Sequence, residues 1–169
     1  EGQTLFRYFG YAEHFTGVPI PYTLRWAEPR TAALGVNNLA LVYGLDDVQG
    51  YNPVHVARYD EFMAALNGQD QNYHHTDILD SGLNSPLIDL LNVRYVIVPT
   101  VTASDELAPR LERGLPVAYA DAAVTIYENP AALARFRLVH AALRAAPGRA
   151  LQALLSAPHS RAVTGPELV

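Results

Sequence analysis

Apolar and polar positions alternate along this chain in patterns that predict both strands and helices. The strongest strand signal is the β-branched and aromatic run Val93–Val98, which Pro99 closes. Thr4–Phe9 is dense in aromatic and β-favouring residues and also predicts a strand. Leu115–Ala120 and Ala123–Tyr127 are separated by only two residues and therefore predict a hairpin.

Three further segments carry weaker strand patterns. Asn38–Gly44 is short, apolar and closed by glycine, which is typical of a buried strand. Arg135–Leu143 alternates apolar and polar residues and predicts an edge strand. Arg161–Val163 adds a last short strand to the prediction.

The best-supported helix starts at Asn52, a candidate N-cap, with Pro53 in the first helical position. Apolar residues then follow at helical spacing, and Gly68 is a typical C-terminal glycine. The members of this apolar face are Val56, Tyr59, Met63 and Leu66, with Phe62 beside them.

Shorter helices are predicted from Ser85-Pro86 through Leu91, from Ser104 to Gly114, and over Gly148–Ser156. The prolines of Thr16–Arg30 predict an irregular packed segment, and the polar stretch Gln69–Gly82 predicts an exposed loop. Because strands and helices are interspersed without strict βαβ alternation, we expect a single α+β domain with a mixed β-sheet and several short helices over residues 1–169.

The composition of the chain excludes several classes of partner and of catalytic site. The chain has 17 acidic and 12 basic residues, a formal net charge of -5, and scattered arginines without a lysine, so nucleic acid is not an expected partner. It has no cysteine, which excludes disulfides, thiolate catalysis and sulfur-bound zinc. No Gly-x-Ser-x-Gly elbow or glycine-rich phosphate loop is present, and no uncharged run is long enough for a spanning helix.

Three stretches, in order, resemble the YfhO-like family of bacterial membrane proteins. The first is Gly44 to Pro53, followed by Arg58-Tyr59, similar to the family's Gly-Tyr-x-Pro and Arg-Tyr pattern. The second, Leu90 to Ile97, is similar to Leu-Leu-Asn-Val-Lys-Tyr-Val-Ile, with arginine in the lysine position. The third, Val124 to Phe136, is similar to Val-Tyr-Glu-Asn-x-x-Ala-Leu-Pro-Arg, with alanine replacing the proline.

The resemblance implies that this chain is the soluble extracytoplasmic domain of a larger polytopic protein similar to the GT-C class of glycosyltransferases. It implies a cell-membrane location, a membrane-embedded bundle of the same polypeptide as partner, and chemistry carried out by that bundle. The domain would help to position a glycan acceptor or a lipid-linked sugar and would not be catalytic alone. The alternative is a structural or protein-interaction module without carbohydrate binding.

The loop before the first long helix is the preferred ligand site, because its polar and planar side chains suit sugar hydroxyls or a phosphate. Turn and cap roles are the alternative for these residues, since adjacent aspartates in an extended segment point to opposite sides. The candidate ligand-binding residues are Asp46, Asp47, Gln49, Tyr51, Asn52 and Arg58.

No catalytic residue, metal site or cofactor is predicted. His74 and His75, with Asp70, Asp77 and Asp80 nearby, form the only plausible metal cluster, but consecutive histidines seldom chelate one ion, so a solvated loop is favoured. Aromatic residues crowd near the start of the chain; a buried core is the favoured interpretation, and sugar stacking or a bilayer interface is the alternative. They are Tyr8, Phe9, Tyr11, Phe15, Tyr22 and Trp26.

Overall fold

The computed structural model describes residues 5–11, 34–35, 38–71, 74–100, 111, 115–138, 142–143, 146, 149–156 and 167–168. Eight strands lie within these ranges. They are β1 (Arg7–Gly10), β2 (Gly50–Tyr51), β3 (His75–Thr76), β4 (Val93–Pro99), β5 (Val117–Ala120), β6 (Val124–Glu128), β7 (Ala142–Leu143) and β8 (Glu167–Leu168).

Three α-helices and two 3-10 helices accompany the strands in the same ranges. They are α1 (Ala57–Asn67), α2 (Leu87–Leu90) and α3 (Ala150–Ser156), with 3-10 helices at Leu39–Tyr43 and Asp80–Gly82. Among the described residues, no helix has the length and apolar character needed to cross a bilayer.

The main sheet is mixed and has the strand order β1-β4-β6-β5. β1 and β4 run parallel, whereas β4 with β6 and β6 with β5 are antiparallel. A parallel pair needs a crossover connection, and the chain between β1 and β4 contains α1 and α2. The predicted class, a single α+β domain with a mixed sheet and short helices, is confirmed.

The hairpin of β5 and β6 is held by an aspartate in its turn. Asp121 Oδ1 accepts hydrogen bonds from the backbone N–H groups of Ala123 and Val124, each at 2.7 Å. Tyr119 donates its hydroxyl to Asp121 Oδ2 at 3.0 Å. These donors hold the pKa of Asp121 below its ordinary value, and the predicted hairpin is confirmed.

Two asparagines form hydrogen bonds that connect the chain segments at the ends of β4 and β6. Asn92, whose φ of 59° is left-handed, turns the chain into β4, and its side-chain amide donates to Leu133 O at 2.7 Å. Asn129 donates to Asp89 Oδ1 at 2.8 Å and to Val93 O at 3.1 Å. The second and third stretches of the family resemblance therefore meet in space, where they perform a structural task.

The core lies between the sheet and the two helices of the crossover. Phe9, Met63, Leu87 and Val93 are each fully buried and come from β1, α1, α2 and β4. Tyr8, Phe9 and Tyr11 are buried as well, which confirms the core interpretation for the described part of the aromatic cluster. Its other members, Phe15, Tyr22 and Trp26, lie outside the described residues.

The prediction of a buried strand at Asn38–Gly44 is wrong. This stretch forms a 3-10 helix, and both flanking residues have a left-handed backbone, with φ of 68° at Asn38 and 66° at Gly44. These two turns curl the chain and prevent the extended pairing that a strand requires. Leu41, Val42 and Tyr43 are consequently exposed.

The first long helix begins later than predicted. Asn52 Oδ1 accepts a hydrogen bond from Val54 N at 2.9 Å, which forms a local turn in place of a helix cap. Val56 then has extended geometry and is the residue that precedes α1. The predicted end is confirmed, because Gly68 has a left-handed φ of 69° and donates its N–H to Ala64 O.

The remaining predictions have mixed outcomes. Helices α2 and α3 confirm two of the short helices. Of the described residues in the predicted edge strand, 135–138 form no strand, whereas Ala142–Leu143 do. The exposed-loop prediction for Gln69–Gly82 is wrong in part, because Ile78 and Gly82 are buried. The segments predicted over Thr16–Arg30 and Arg161–Val163, and most of Ser104–Gly114, lie outside the described residues.

Asn67, at the end of α1, is buried and joins that helix to the following loop. Its amide donates to Asp77 O at 2.8 Å and accepts from Leu79 N at 2.9 Å, and its backbone carbonyl accepts from Ser81 Oγ at 2.6 Å. A buried polar group without a partner costs more than a hydrogen bond contributes, so this asparagine is expected to be important for stability.

Asn67→Leu should lower the free energy of unfolding by about 2–4 kcal/mol, because the backbone groups of the half-buried residues Asp77 and Leu79 would lose their partners. Chemical denaturation monitored by circular dichroism measures the change. Asn84→Leu is the matched control, since Asn84 is exposed and should change stability little. Equal stabilities for the two variants would contradict this role.

Candidate functional site

A cleft of about 410 Å³ opens beside β1, and its size is within the range of small-molecule sites. Its walls come from β1, from the segment 46–56, from the start of α1, from β3 and from Arg135. The cleft therefore gathers side chains from four separated parts of the sequence.

One wall of the cleft is the segment Asp46–Gln49, which hydrogen-bonds along the edge of β1. Tyr8 N donates to Asp46 O at 3.1 Å, and Val48 N donates to Tyr8 O at 3.1 Å. Gln49 donates its amide to Gly10 O at 2.8 Å and accepts from Ile78 N at 2.8 Å. Both polar ends of the Gln49 side chain thus hold the wall in place.

Asp47 brings a buried carboxyl group to this wall. Its Oδ1 accepts a hydrogen bond from Gln49 N at 2.9 Å, whereas the buried Oδ2 has no hydrogen-bond partner among the described residues. Burial raises the pKa of Asp47 to about 7; the Gln49 N–H opposes that shift, and the nearby Asp77 charge adds to it. Near neutral pH the carboxyl is present in both protonation states.

His55 contributes a second buried polar group to the cleft. Its Nδ1 lies 2.9 Å from Asp60 Oδ1, and its side chain is 15% exposed. Asp60 Oδ1 can accept a hydrogen bond from this ring only when Nδ1 carries a proton. Nε2 is buried and has no hydrogen-bond partner within the described part of the chain.

Two tyrosines stand beside Asp47 and remain neutral. Tyr59 donates its hydroxyl to Val48 O at 2.6 Å. Burial raises the pKa of Tyr59 to about 12, although the Arg7 charge opposes this shift. Burial, together with the Asp47 charge, also raises the pKa of Tyr8. Both phenols therefore keep their protons at neutral pH.

Two arginines supply the positive charge of the cleft. Arg135 forms an ion pair with Asp46, and the two side chains are 30% and 47% exposed. Arg7 donates to Leu91 O at 3.5 Å and also lines the cleft. The cleft thus combines acidic and basic groups, and neither sign dominates.

The structure brings four of the six sequence-predicted residues into the cleft: Asp46, Asp47, Gln49 and Asn52. Tyr51 and Arg58 are not among its lining residues.

Tyr51 lies in β2, where its backbone is held by the side chain of Asn38 at 2.8 and 3.3 Å and its ring is 5.7 Å from that of His74. Arg58 is exposed on α1. Gln49 and Asn52 bond to backbone groups, and Asp46 is paired with Arg135. Of the four, Asp47 is the one with a buried side-chain atom that lacks a hydrogen-bond partner among the described residues.

The metal alternative gains no support from the structure. Within the described ranges, no three histidine, aspartate or glutamate side chains come together in a group that could hold an ion. The side chain of His75 is outside the described part of the chain.

Five polar or charged residues of the cleft did not enter the predicted set, because they are distant from it in sequence or lacked a local signal. His55 follows the predicted loop closely, but only its burial beside Asp60 distinguishes it. Arg135 belongs to the third stretch of the resemblance, where no ligand role was inferred. The five are Arg7, His55, Tyr59, Thr76 and Arg135.

Comparison with models of known protein families, with curated proteins and with solved structures gave no match for this chain. The geometry of the cleft and the resemblance of the three sequence stretches are therefore the grounds on which a function is proposed below.

The raised pKa of Asp47 predicts a pH-dependent stability. An unfolded chain has the ordinary aspartate value of 3.8, whereas the folded chain has a value of about 7. Between these values the folded state holds a proton that the unfolded state has released, so stability falls as the pH rises through this window and is level above it.

The substitution Asp47→Asn removes the carboxyl group whose ionisation causes this loss of stability. Between about pH 4 and pH 8, its free energy of unfolding relative to wild type should rise by on the order of 2–4 kcal/mol. Urea denaturation across this pH range measures the difference. Asp46→Asn, at an exposed neighbour, should show no such rise, and parallel curves for Asp47→Asn and wild type would disprove the assignment.

Proposed function

We propose that this chain is an accessory domain of a membrane glycosyltransferase-like protein, and that its cleft holds the hydroxyl groups of a glycan acceptor or of a lipid-linked sugar. The observation that carries the proposal is the convergence of charged and polar side chains on one cleft, where Asp47 and His55 each also hold a buried atom without a hydrogen-bond partner among the described residues. The resemblance to the YfhO-like family supports the membrane context.

The chemistry of the two groups favours hydroxyls. A sugar hydroxyl both donates and accepts hydrogen bonds, and a carboxyl with a pKa of about 7 can do either. An imidazole nitrogen without a proton at His55 Nε2 would accept a hydrogen bond from such a hydroxyl. Buried polar groups without partners carry a desolvation cost, which hydrogen bonds from a bound ligand would offset.

The charges around the cleft favour a neutral polar ligand over a strongly charged one. Asp46 is already paired with Arg135, and Arg7 faces the same space as Asp47. An anion would be drawn to the arginines but repelled by the aspartates, and a cation would experience the reverse. Hydroxyl groups satisfy both kinds of side chain without a net electrostatic cost.

A positioning role is favoured over catalysis by this chain alone. The Tyr59 hydroxyl is committed to Val48 O, and the residues that line the cleft include no serine or lysine nucleophile. In this proposal the transfer reaction takes place in the membrane-embedded part of the same polypeptide, and the domain presents or orients the substrate to it.

Titration of the chain with mono- and oligosaccharides should shift the backbone amide resonances of the segment 46–50 and of His55. Asp47→Ala is expected to weaken binding about tenfold or more, because a charge-assisted hydrogen bond is lost. Two-dimensional nitrogen–proton correlation spectra measure both effects, and they also report whether the variant is folded.

Tyr119→Ala is the matched control, since Tyr119 lies on the exposed edge strand β5 and does not line the cleft. It should bind like wild type. Saccharides that leave the cleft resonances unmoved would refute the proposal and favour a protein-interaction module. Glycosyl transfer by the isolated chain would refute the non-catalytic role.

A further inference from the structure

Of the two arginines that line the cleft, Arg7 is the one without a counter-charge among the described residues. Arg135 is paired with Asp46. The Arg7 side chain donates one hydrogen bond from Nη1 to Leu91 O at 3.5 Å, which is the long limit for such a bond. Because a guanidinium has five N–H donors, most of those of Arg7 remain available to a ligand.

The backbone of Arg7 holds this side chain at a fixed point of the cleft wall. Arg7 N donates to Asn92 O at 3.0 Å, and Arg7 lies opposite Val93 in the pairing of β1 with β4. The residue is half-buried. A partly desolvated guanidinium without a counter-charge carries an electrostatic cost, which an oxyanion from a ligand would offset.

The Tyr59 phenol shows that Arg7 and Asp47 act on the same part of the cleft. Burial raises the pKa of Tyr59, the Arg7 charge lowers it, and the Asp47 charge raises it further. None of the ion pairs within the described part of the chain joins Arg7 to Asp47. The cleft thus presents a cation and a carboxyl group within electrostatic reach of one phenol, and neither is the partner of the other.

We propose that Arg7 binds a carboxylate of the ligand, so that the cleft selects an acidic saccharide, such as a hexuronic acid, over a neutral one. The inference rests on the proposed function, because it takes the ligand to be a saccharide, and it adds the group that determines selectivity. The planar guanidinium donates two parallel hydrogen bonds to the carboxylate. Hydroxyl groups of the same sugar then bond to Asp47.

A single carboxylate suits the charges of the cleft better than a phosphate does. Since Asp46 offsets Arg135, one arginine of the cleft remains uncompensated. A phosphate monoester carries about -1.5 to -2 charges at neutral pH, which is more than Arg7 can offset, whereas a hexuronate carries one. Burial raises the pKa of Asp47 to about 7, so at about pH 6 this carboxyl is largely protonated and repels an anion little.

Glucose and glucuronate are a matched pair of probes, because a carboxylate replaces a hydroxymethyl group and the rest of the sugar is the same. At about pH 6, glucuronate should bind at least about tenfold more tightly than glucose, because it adds charge-assisted hydrogen bonds. Two-dimensional nitrogen–proton correlation spectra measure both affinities from the amide shifts of Arg7 and of the segment 46–50. The same spectra report whether each variant is folded.

The variant Arg7→Gln should lose the preference for glucuronate, and Arg7→Lys should retain a part of it, because lysine keeps the charge but not the planar pair of donors. Arg58→Gln is the matched control, since it removes the same charge from an exposed position on α1 that does not line the cleft. This control should bind both sugars like wild type.

Equal affinities for glucose and glucuronate, or a preference that survives in Arg7→Gln, would overturn the inference and leave the proposed function in place. Acetate that binds as tightly as glucuronate, or a glucose phosphate monoester that binds more tightly, would also overturn it. If neither sugar moves the cleft resonances, the proposed function fails together with the inference.

Discussion

The hydrogen bonding of the segment Asp46–Gln49 along the edge of β1 is the interaction on which the site depends. Three backbone and side-chain contacts, through Tyr8 and Gly10, fix this segment against the terminal strand of the sheet. They place the Asp47 carboxyl where desolvation raises its pKa to about 7. The same contacts form the wall from which the cleft opens, so stability and site chemistry share one origin.

The residues of the family resemblance divide into architectural and site-forming groups. Asn92 and Asn129 satisfy backbone groups around the ends of β4, and Arg94 donates two hydrogen bonds to Glu128 across β4 and β6, at 3.1 and 2.8 Å. The first stretch, by contrast, supplies Asp46, Asp47 and the turn that precedes α1. The first stretch therefore lies at the cleft, whereas the second and third hold the chain around β4 and β6.

The sequence predicted the elements whose signals are local. The β-branched run of β4 and the short gap between β5 and β6 specify a strand and a hairpin without reference to the rest of the chain. The strand prediction for Asn38–Gly44 was wrong. The apolar pattern of this stretch suits a strand, but its conformation is set by left-handed turns at Asn38 and Gly44, which hydropathy does not report. A competing local turn at Asn52 likewise delayed the start of α1.

Sequence reasoning could predict only those site residues that lie next to one another in the chain. Asp46 and Asp47 sit in a polar loop after an apolar run, a pattern that sequence reasoning can detect. His55 and Arg7 owe their relevance to burial and to tertiary neighbours, which no spacing encodes. A buried titratable group beside an opposing charge is a feature of the fold, and its identification required the structure.

The central claim is that Asp47 holds a buried carboxyl whose proton is lost near neutral pH and which faces a ligand. Its side-chain carboxyl carbon resonance, followed by NMR across the acidic to neutral range with and without saccharide, tests this directly. The account predicts a midpoint near pH 7 that moves when the sugar binds. A midpoint near the ordinary aspartate value, indifferent to sugar, would contradict it.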